Sequence, residues 1–260
     1  MNKLTTILVV VFLALASLSL ARADIAETPI TLPNGLGSAT LYSNQKLSSA
    51  EAGVVVVHEW WGLNQYARDR AKMLAEAGYT AIAVDMYGHG KVAEHPNDAQ
   101  GFMEAALANP DKISARFDAA KNILNQQKHV DPERVYAMGY CFGGAVVLNQ
   151  ARLGKDLAGV ASFHGSLSAA VEARPGDIKG KIMVAHGGAD PFVPVEQVTG
   201  FINEMVTLGV DLKFLNYPQA KHSFTNPEAT EKGKKFNLPL AYDKKADTES
   251  WEAFLQFIDD

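Results

Sequence analysis

The sequence predicts one α/β domain built on a mostly parallel, doubly wound sheet, with helices packed on both faces in a three-layer arrangement. Two observations support this prediction. Runs of apolar, often β-branched residues recur without polar alternation, as in strands that are buried on both faces. Segments with helical apolar spacing separate these runs, which is typical of β-α-β connections. No repeat, low-complexity tract or linker divides residues 24–260, so a single domain is expected there.

The first 23 residues follow a different pattern. Residues 1–3 carry a positive charge, residues 7–20 are almost uninterrupted apolar, and Ala21-Arg22-Ala23 is a small-x-small ending. This pattern predicts a signal peptide that is cleaved after Ala23, and therefore an exported protein, periplasmic or secreted. The apolar run is shorter than the roughly 20 residues of a membrane-spanning helix. That length disfavours the alternative, an N-terminal membrane anchor, so no membrane association is expected after cleavage.

The composition limits the class of partner. The chain of 260 residues is 47% hydrophobic and 20% charged, which is typical of a water-soluble globular protein with one sizeable core. The formal charge of −5 becomes −7 when Lys3 and Arg22 of the leader are removed, and an acidic surface argues against nucleic acid. Cys141 is the only cysteine. A lone thiol in an exported protein is expected either to be deeply buried or to take part in the protein's chemistry.

The predicted elements follow one another along the chain. An opening hairpin is expected at 29–32 and 38–42, around the Pro33-Asn34-Gly35 turn. Strands are predicted at 53–58, 79–84, 135–138, 157–163, 181–185 and 212–217, and helices at 65–77, 99–108, 113–124, 144–152, 195–208 and 250–258. In sheets of this kind, ligands bind beyond the carboxyl ends of the strands. Polar residues that follow predicted strands include His58, Asp85, Cys141, His164, His186 and His222.

Cys141 lies in a motif that is typical of a nucleophile. The sequence Gly139-Tyr140-Cys141-Phe142-Gly143 falls between a predicted strand and a predicted helix, which matches the nucleophile elbow with cysteine in place of serine. The positive end of the following helix favours the thiolate form. The alternative is a small buried hydrophobe in a glycine-rich turn, which is the usual place of a lone cysteine.

Two further residues complete a candidate triad. α/β-hydrolases place the nucleophile, an acid and a histidine in that order along the chain. Asp190 follows the predicted strand 181–185, and His222 follows the strand 212–217. Asp190 is expected to orient the imidazole of His222, which takes the proton of Cys141 and later activates water. The sequence therefore predicts a three-layer α/β-hydrolase fold with a Cys-Asp-His triad.

The loop after the strand 53–58 is expected to reach the same site. It contains His58, Glu59 and Trp60. The backbone N–H groups of Trp60 and Phe142 are the candidate oxyanion donors. Glu59 is an unusual neighbour for a thiolate, because two nearby anions disfavour each other.

These motifs resemble the dienelactone hydrolase (carboxymethylenebutenolidase) family. The resemblance is carried by residues 58–62, 85–87, 139–144, 188–190 and 222–224. It implies a monomeric, cofactor-free and metal-free hydrolase of a small ester or lactone that uses Cys141, Asp190 and His222. It also implies that Glu59 accepts the thiol proton when substrate displaces it.

Two positions depart from the family pattern. Members that act on dienelactone bind its carboxylate with two arginines, and His89 and Asn226 stand at those positions here. The reaction type is expected to persist, but the substrate carboxylate loses its charged partners. The aromatic residues Trp60, Trp61, Tyr87, Phe142 and Phe224 are expected to make the pocket apolar.

Three other hypotheses stay open. A metal-dependent hydrolase would use His58, His164 and His186, although the tight ligand spacing of an H-E-x-x-H motif is not present. A binding protein would retain the fold without activity. Ser166 or Ser223 is a weaker candidate for the nucleophile, since neither lies in an elbow motif.

Overall fold

The chain is described from a computed structural model that covers residues 24–260. The predicted signal peptide, residues 1–23, lies outside the described residues. The strands are β1 (Ile25–Leu32), β2 (Gly37–Asn44), β3 (Glu51–Val57), β4 (Thr80–Val84), β5 (Val130–Tyr140), β6 (Gly159–Phe163), β7 (Lys181–Gly187) and β8 (Leu212–Tyr217). The helices are α1 (Gln65–Glu76), α2 (Pro96–Leu107), α3 (Pro110–Asn125), α4 (Phe142–Arg152), α5 (Val195–Leu208), α6 (Ala229–Phe236) and α7 (Lys244–Asp259).

The eight strands form one sheet in the order β1-β2-β4-β3-β5-β6-β7-β8. β1 pairs with β2 and β2 with β4 in antiparallel register, and every other neighbouring pair is parallel. The prediction of an opening hairpin on a mostly parallel sheet is therefore confirmed. The carboxyl ends of β3, β5, β6, β7 and β8 meet at one edge, which gathers the loops that follow them.

Helices cover both faces of the sheet, as expected for a doubly wound fold. Alternate residues of the central strands point to opposite faces. Val55 and Val57 of β3 belong to the core that packs under α3, α4 and α5, whereas Val54 and Val56 belong to the core under α1 and α7. Both sets of valines are fully buried, which explains why these strands are apolar without alternation. None of the helices within residues 24–260 is long and apolar enough to cross a membrane.

The structure corrects several predicted boundaries. Helix α7 begins six residues before the predicted start at 250, because the Asp243 side chain accepts the backbone N–H groups of Lys245 and Ala246 and caps the helix. Strand β5 extends in both directions beyond 135–138, and β6 begins at Gly159 rather than 157. Helix α6 was not predicted. Its sequence is largely charged, and only Ala229 and Gly233 are buried, so it carries little apolar periodicity.

Candidate active site

Cys141 lies in the tight turn between β5 and α4. Its backbone has φ 54° and ψ −115°, a left-handed conformation that is strained for a residue with a side chain. A side chain at Gly139 would overlap the backbone of Gly143, and one at Gly143 would overlap the carbonyl groups of Val57 and His58. These two glycines therefore allow the turn to pack closely against β3, which leaves the Cys141 side chain half-buried at the sheet edge.

His222 and Asp190 form a buried pair next to this turn. The Nδ1 atom of His222 lies 2.7 Å from Oδ2 of Asp190, and both side chains are buried. The second carboxylate oxygen of Asp190 accepts the backbone N–H of Phe192 at 2.8 Å. Both carboxylate oxygens thus have donors. The imidazole is held in one orientation, and its other ring nitrogen is free to face Cys141.

His222 and Cys141 line the same cavity, and the sulfur affects the charge of the imidazole. Burial alone would lower the pKa of His222. The negative charge of Cys141 and the hydrogen bond to Asp190 outweigh that effect and raise the pKa to about 10. The surroundings of His222 therefore favour its protonated, imidazolium form.

Two backbone N–H groups border the same turn. The N–H of Phe142 is at the first turn of α4, where helix geometry supplies no acceptor. The N–H of Trp60 lies in the loop after β3. Within residues 24–260, neither group donates a hydrogen bond to the protein. Two backbone N–H groups without protein acceptors beside the Cys141 thiol are an arrangement suited to an oxyanion.

Glu59 is fully buried beside the histidine loop. Its Oε1 atom accepts the Ser223 hydroxyl at 2.7 Å, and its Oε2 atom accepts the Asn226 amide at 2.7 Å. Burial raises the pKa of Glu59, while these two hydrogen bonds oppose the rise. Neither oxygen is hydrogen-bonded to Cys141. The carboxylate fixes the loop that carries His222.

Cys141 and His222 open into a cavity of about 580 Å³. Its wall comes from helices α2 and α4 and from the loops that follow β3, β6, β7 and β8 or precede α7. The lining residues are Trp60, Gln100, Met103, Leu107, Cys141, Phe142, Ala145, Asn149, Ser166, Ser168, Ala170, Phe192, Val193, His222, Leu238 and Leu240. The described residues contribute no lysine, arginine, aspartate or glutamate to this lining. The cavity is therefore suited to a neutral, mainly apolar ligand.

Comparison with known proteins identifies the family of the chain. A model of the dienelactone hydrolase family matches residues 38–260. This chain belongs to that family.

Individual relatives agree with this assignment. Protein usf of Aquifex pyrophilus is 30% identical over 178 residues, which cover 67% of this chain and 77% of that protein. A protein of Aquifex aeolicus with the provisional name carboxymethylenebutenolidase is 26% identical over 213 residues, 80% of this chain and 88% of its own length.

Two solved structures superpose on most of the chain. One, named m3DLH, is 33% identical with a TM-score of 0.82 and covers 90% of this chain and 98% of that chain. A dienelactone hydrolase-like promiscuous phosphotriesterase from metagenomic libraries is 31% identical with a TM-score of 0.80, with the same coverage. The dienelactone hydrolase fold is thus found along nearly the whole described chain.

The structure places five predicted pocket residues of this dienelactone hydrolase family member outside the cavity. Trp61 is buried in a separate core cluster with Ala93 and Ala99. Phe224 is fully buried in the core under α7. Tyr87 lies behind Phe142, and its hydroxyl donates to the Trp60 carbonyl at 2.9 Å. His89 is exposed on the loop after β4, and Asn226 holds Glu59. Neither family arginine position therefore faces the cavity.

Three histidines considered as metal ligands lie apart in the structure. The Nε2 atom of His58 accepts the Met86 N–H, so its Nδ1–H donates to the Glu59 carbonyl. His164 contacts Thr225, and His186 packs on Phe214. Among residues 24–260, no group of three histidine, cysteine, aspartate or glutamate residues is placed to hold a metal ion. The geometry gives the metal-dependent hypothesis no ligand set at these positions.

A buried polar cluster behind His222 was not predicted. The Thr225 hydroxyl lies 2.6 Å from the Tyr66 hydroxyl and 2.8 Å from Nε2 of His164. Arg70 donates to the Thr225 carbonyl and to the Asp247 carboxylate. Arg70 is 5% exposed. In the sequence, it is indistinguishable from the solvated charges of an amphipathic helix, so no local pattern marks it as support for the histidine loop.

Proposed function

We propose that this protein hydrolyses small, neutral carboxylic esters or lactones through a thioester on Cys141. The observation that carries the proposal is the arrangement of three side chains: Cys141 in the strained turn, His222 beside it in the same cavity, and Asp190 hydrogen-bonded to His222. Their order along the chain and their roles match the nucleophile, base and orienting acid of acyl transfer.

The first half-reaction forms the acyl-enzyme. The Cys141 sulfur attacks the carbonyl carbon, and the carbonyl oxygen takes up negative charge beside the N–H groups of Trp60 and Phe142. When the tetrahedral intermediate collapses, the carbon–oxygen bond of the ester breaks. The leaving oxygen takes the proton of the His222 imidazolium. The products are an alcohol, or the opened end of a lactone, and a Cys141 thioester.

The second half-reaction depends on a change in the acidity of His222. The negative charge of Cys141 is the main influence that raises the pKa of His222, and acylation removes that charge. The pKa of the imidazole then falls toward its ordinary value, which makes His222 a base at neutral pH. It takes a proton from water, which attacks the thioester. The acid is released, and the thiolate–imidazolium pair is restored.

The cavity supports a neutral substrate rather than an anionic one. Met103, Leu107, Phe192 and Leu240 supply apolar walls, and the described lining contains no lysine or arginine. A free carboxylate buried there would lose hydration without gaining a lysine or arginine partner, and the His222 imidazole is already paired with Asp190. The same walls would accept a neutral phosphotriester. The second candidate activity, favoured by the 31% identity to a promiscuous phosphotriesterase, is phosphotriester hydrolysis at Cys141.

The proposal is tested by release of p-nitrophenol from p-nitrophenyl butyrate, before and after alkylation with iodoacetamide. Cys141 is the only cysteine, so the extent of labelling reports on one site. We expect activity to fall in proportion to labelling and to be absent in Cys141→Ala. Activity that survives complete labelling would overturn the proposal. A folded protein that is inactive on ester, lactone and phosphotriester panels would favour the binding-protein hypothesis.

A further inference from the structure

A second, smaller cavity lies on the opposite side of α2 from the candidate active site. Gln100, Met103 and Leu107 line the cavity at Cys141, whereas Phe102 and Ala106 line the second one. At about 100° per residue, these two sets fall on opposite faces of the helix. The helix therefore separates the two spaces, and the second cavity, of about 150 Å³, is not an extension of the first.

The lining of the second cavity is cationic. It consists of Tyr87, Lys91, Phe102, Ala105, Ala106, Asn109, Lys112 and Arg116. Three of these eight residues carry a positive charge, and none carries a negative one. Within residues 24–260, none of the three cations takes part in an ion pair. Such a cluster is unexpected in a chain with a net charge of −5.

Arg116 is fixed at the base of this cavity with one donor group unused. Its side chain is 4% exposed. Nε donates to the Leu36 carbonyl at 2.7 Å, and Nη1 donates to the Met86 carbonyl at 2.5 Å. Nη2 has no acceptor within residues 24–260, and it packs so closely on Gly88 that a side chain there would overlap it. Arg116 therefore lines the cavity with an N–H group that makes no hydrogen bond to the described protein, and a guanidinium N–H is able to donate to an oxyanion.

The nearest carboxylate does not fill this role. Asp85 interacts with Arg116 through its charge, but its oxygens accept the backbone N–H groups of Tyr87, Gly88 and Gly90. The two lysines stand at the opening. Lys91 lies over the Phe102 ring at 5.3 Å, and Lys112 is exposed at the start of α3. The arrangement offers one fixed donor at the base and two adjustable cations at the mouth.

We propose that this cavity binds a small oxyanion, the phosphate or carboxylate group of a free ion or metabolite, at a site separate from Cys141. The volume admits a tetrahedral or planar oxyanion and excludes anything as large as a nucleotide. Guanidinium and ammonium groups are the side chains that bind such ions by charge-assisted hydrogen bonds. The inference does not depend on the hydrolytic activity proposed above.

The test is isothermal titration calorimetry of the purified protein with phosphate, sulfate and acetate at constant ionic strength. The cavity variant is Lys91→Gln/Lys112→Gln, since both side chains are exposed and their loss leaves the fold intact. The matched control is Lys128→Gln/Lys244→Gln, which makes the same change of charge at exposed lysines outside the cavity. Arg116 is left unchanged because it supports two backbone carbonyl groups. Thermal unfolding confirms that both variants are folded.

We expect saturable binding of at least one anion to a single site. Comparison of phosphate and sulfate with acetate shows whether the site prefers a phosphate-type ligand or a carboxylate. Affinity should fall about tenfold or more in the cavity variant and stay unchanged in the control. Protein alkylated at Cys141 should bind equally well. Equal losses in both variants, heat that does not saturate with any anion, or loss of binding on alkylation would each overturn the proposal.

Discussion

The imidazole of His222 is held 2.7 Å from the carboxylate of Asp190, at the edge where β7 and β8 end. This contact decides which nitrogen of His222 faces Cys141, because the Nδ1–H is committed to Asp190. The carboxylate is itself fixed by the N–H of Phe192. The imidazole is therefore held in one orientation, as the base of the proposed mechanism requires.

Replacing Asp190 with asparagine should reduce kcat by about 10³-fold to 10⁴-fold, since the amide presents a donor to Nδ1 and favours the wrong tautomer of His222. The asparagine oxygen still accepts the Phe192 N–H, so the fold should be retained. Steady-state kinetics with p-nitrophenyl butyrate measure the effect. Asp177→Asn, on the surface loop before β7, is the matched control. A loss smaller than about tenfold would show that Asp190 is not the orienting acid.

The reaction with an alkyl ester should fail at high pH. Burial lowers the pKa of His222, but Cys141 and Asp190 raise it by more, so the pKa is about 10. Below that pH, the imidazolium is present and protonates the leaving alcohol. Above it, the proton is lost, so kcat/KM for ethyl butyrate should fall through pH about 10.

The control for that profile is p-nitrophenyl butyrate, because p-nitrophenolate leaves without a proton. Its kcat/KM should not show the same alkaline limb, while circular dichroism verifies that the protein stays folded. Identical limbs for both esters would mean that His222 does not serve as the acid.

Glu59 has two candidate roles: it supports the loop that carries His222, or it accepts the thiol proton of Cys141. Two substitutions of Glu59 distinguish these roles. Glutamine at this position is able to hydrogen-bond both Ser223 and Asn226. The free energy of unfolding of Glu59→Gln should therefore lie within about 1 kcal/mol of the wild-type value. Glu59→Ala leaves both partners buried without an acceptor and should cost about 2–4 kcal/mol. Urea denaturation measures both values.

Labelling with iodoacetamide provides the second measurement on Glu59→Gln. We expect it to react near the wild-type rate, because both carboxylate oxygens are engaged by Ser223 and Asn226 rather than by Cys141. A strongly slowed reaction would instead assign Glu59 the proton-accepting role that the family resemblance implies.

Much of the fold was predictable from the sequence, because strands such as β3 and β4 are buried on both faces and are continuously apolar. Boundaries that depend on capping were not predictable in the same way. Helix α7 starts where Asp243 supplies two hydrogen bonds, and a single capping residue is a weak signal in a charged segment. Helix α6 packs against Trp61 through Ala229 and Phe236. Contacts between distant segments leave no local pattern in the sequence.

The positions of Cys141, Asp190 and His222 follow from chain order and strand ends, so the sequence was sufficient to gather them at one edge. The side chains that surround them depend on three-dimensional packing. Phe224 and Tyr87 are aromatic residues beside the motif residues, yet both pack away from the cavity. Met103 and Leu107 line it, although their helix carries no active-site motif. The spacing of residues in a motif indicates only which residues are neighbours along the chain. The cavity wall was not predictable in this way, because it is formed by segments that are distant in sequence.

The cavity should discriminate between neutral and anionic esters. It contains no lysine or arginine among its described lining residues, so kcat/KM for p-nitrophenyl butyrate should exceed that for the hemisuccinate ester by about tenfold or more. Gln100→Arg, which adds a cation to the wall, should bring the kcat/KM values of the two esters closer together. Gln126→Arg, at the exposed end of α3, is the control and should leave both values unchanged. A wild-type preference for the anionic ester would contradict the neutral-substrate assignment.

The thioester on Cys141 is tested most directly by mass spectrometry of protein mixed with p-nitrophenyl butyrate and quenched in acid during turnover. We expect one butyryl group per chain, located on the peptide that contains Cys141 and removed by hydroxylamine. Cys141→Ala should show neither the adduct nor turnover. An acyl group on Ser166 or Ser223, or turnover by Cys141→Ala, would contradict the account.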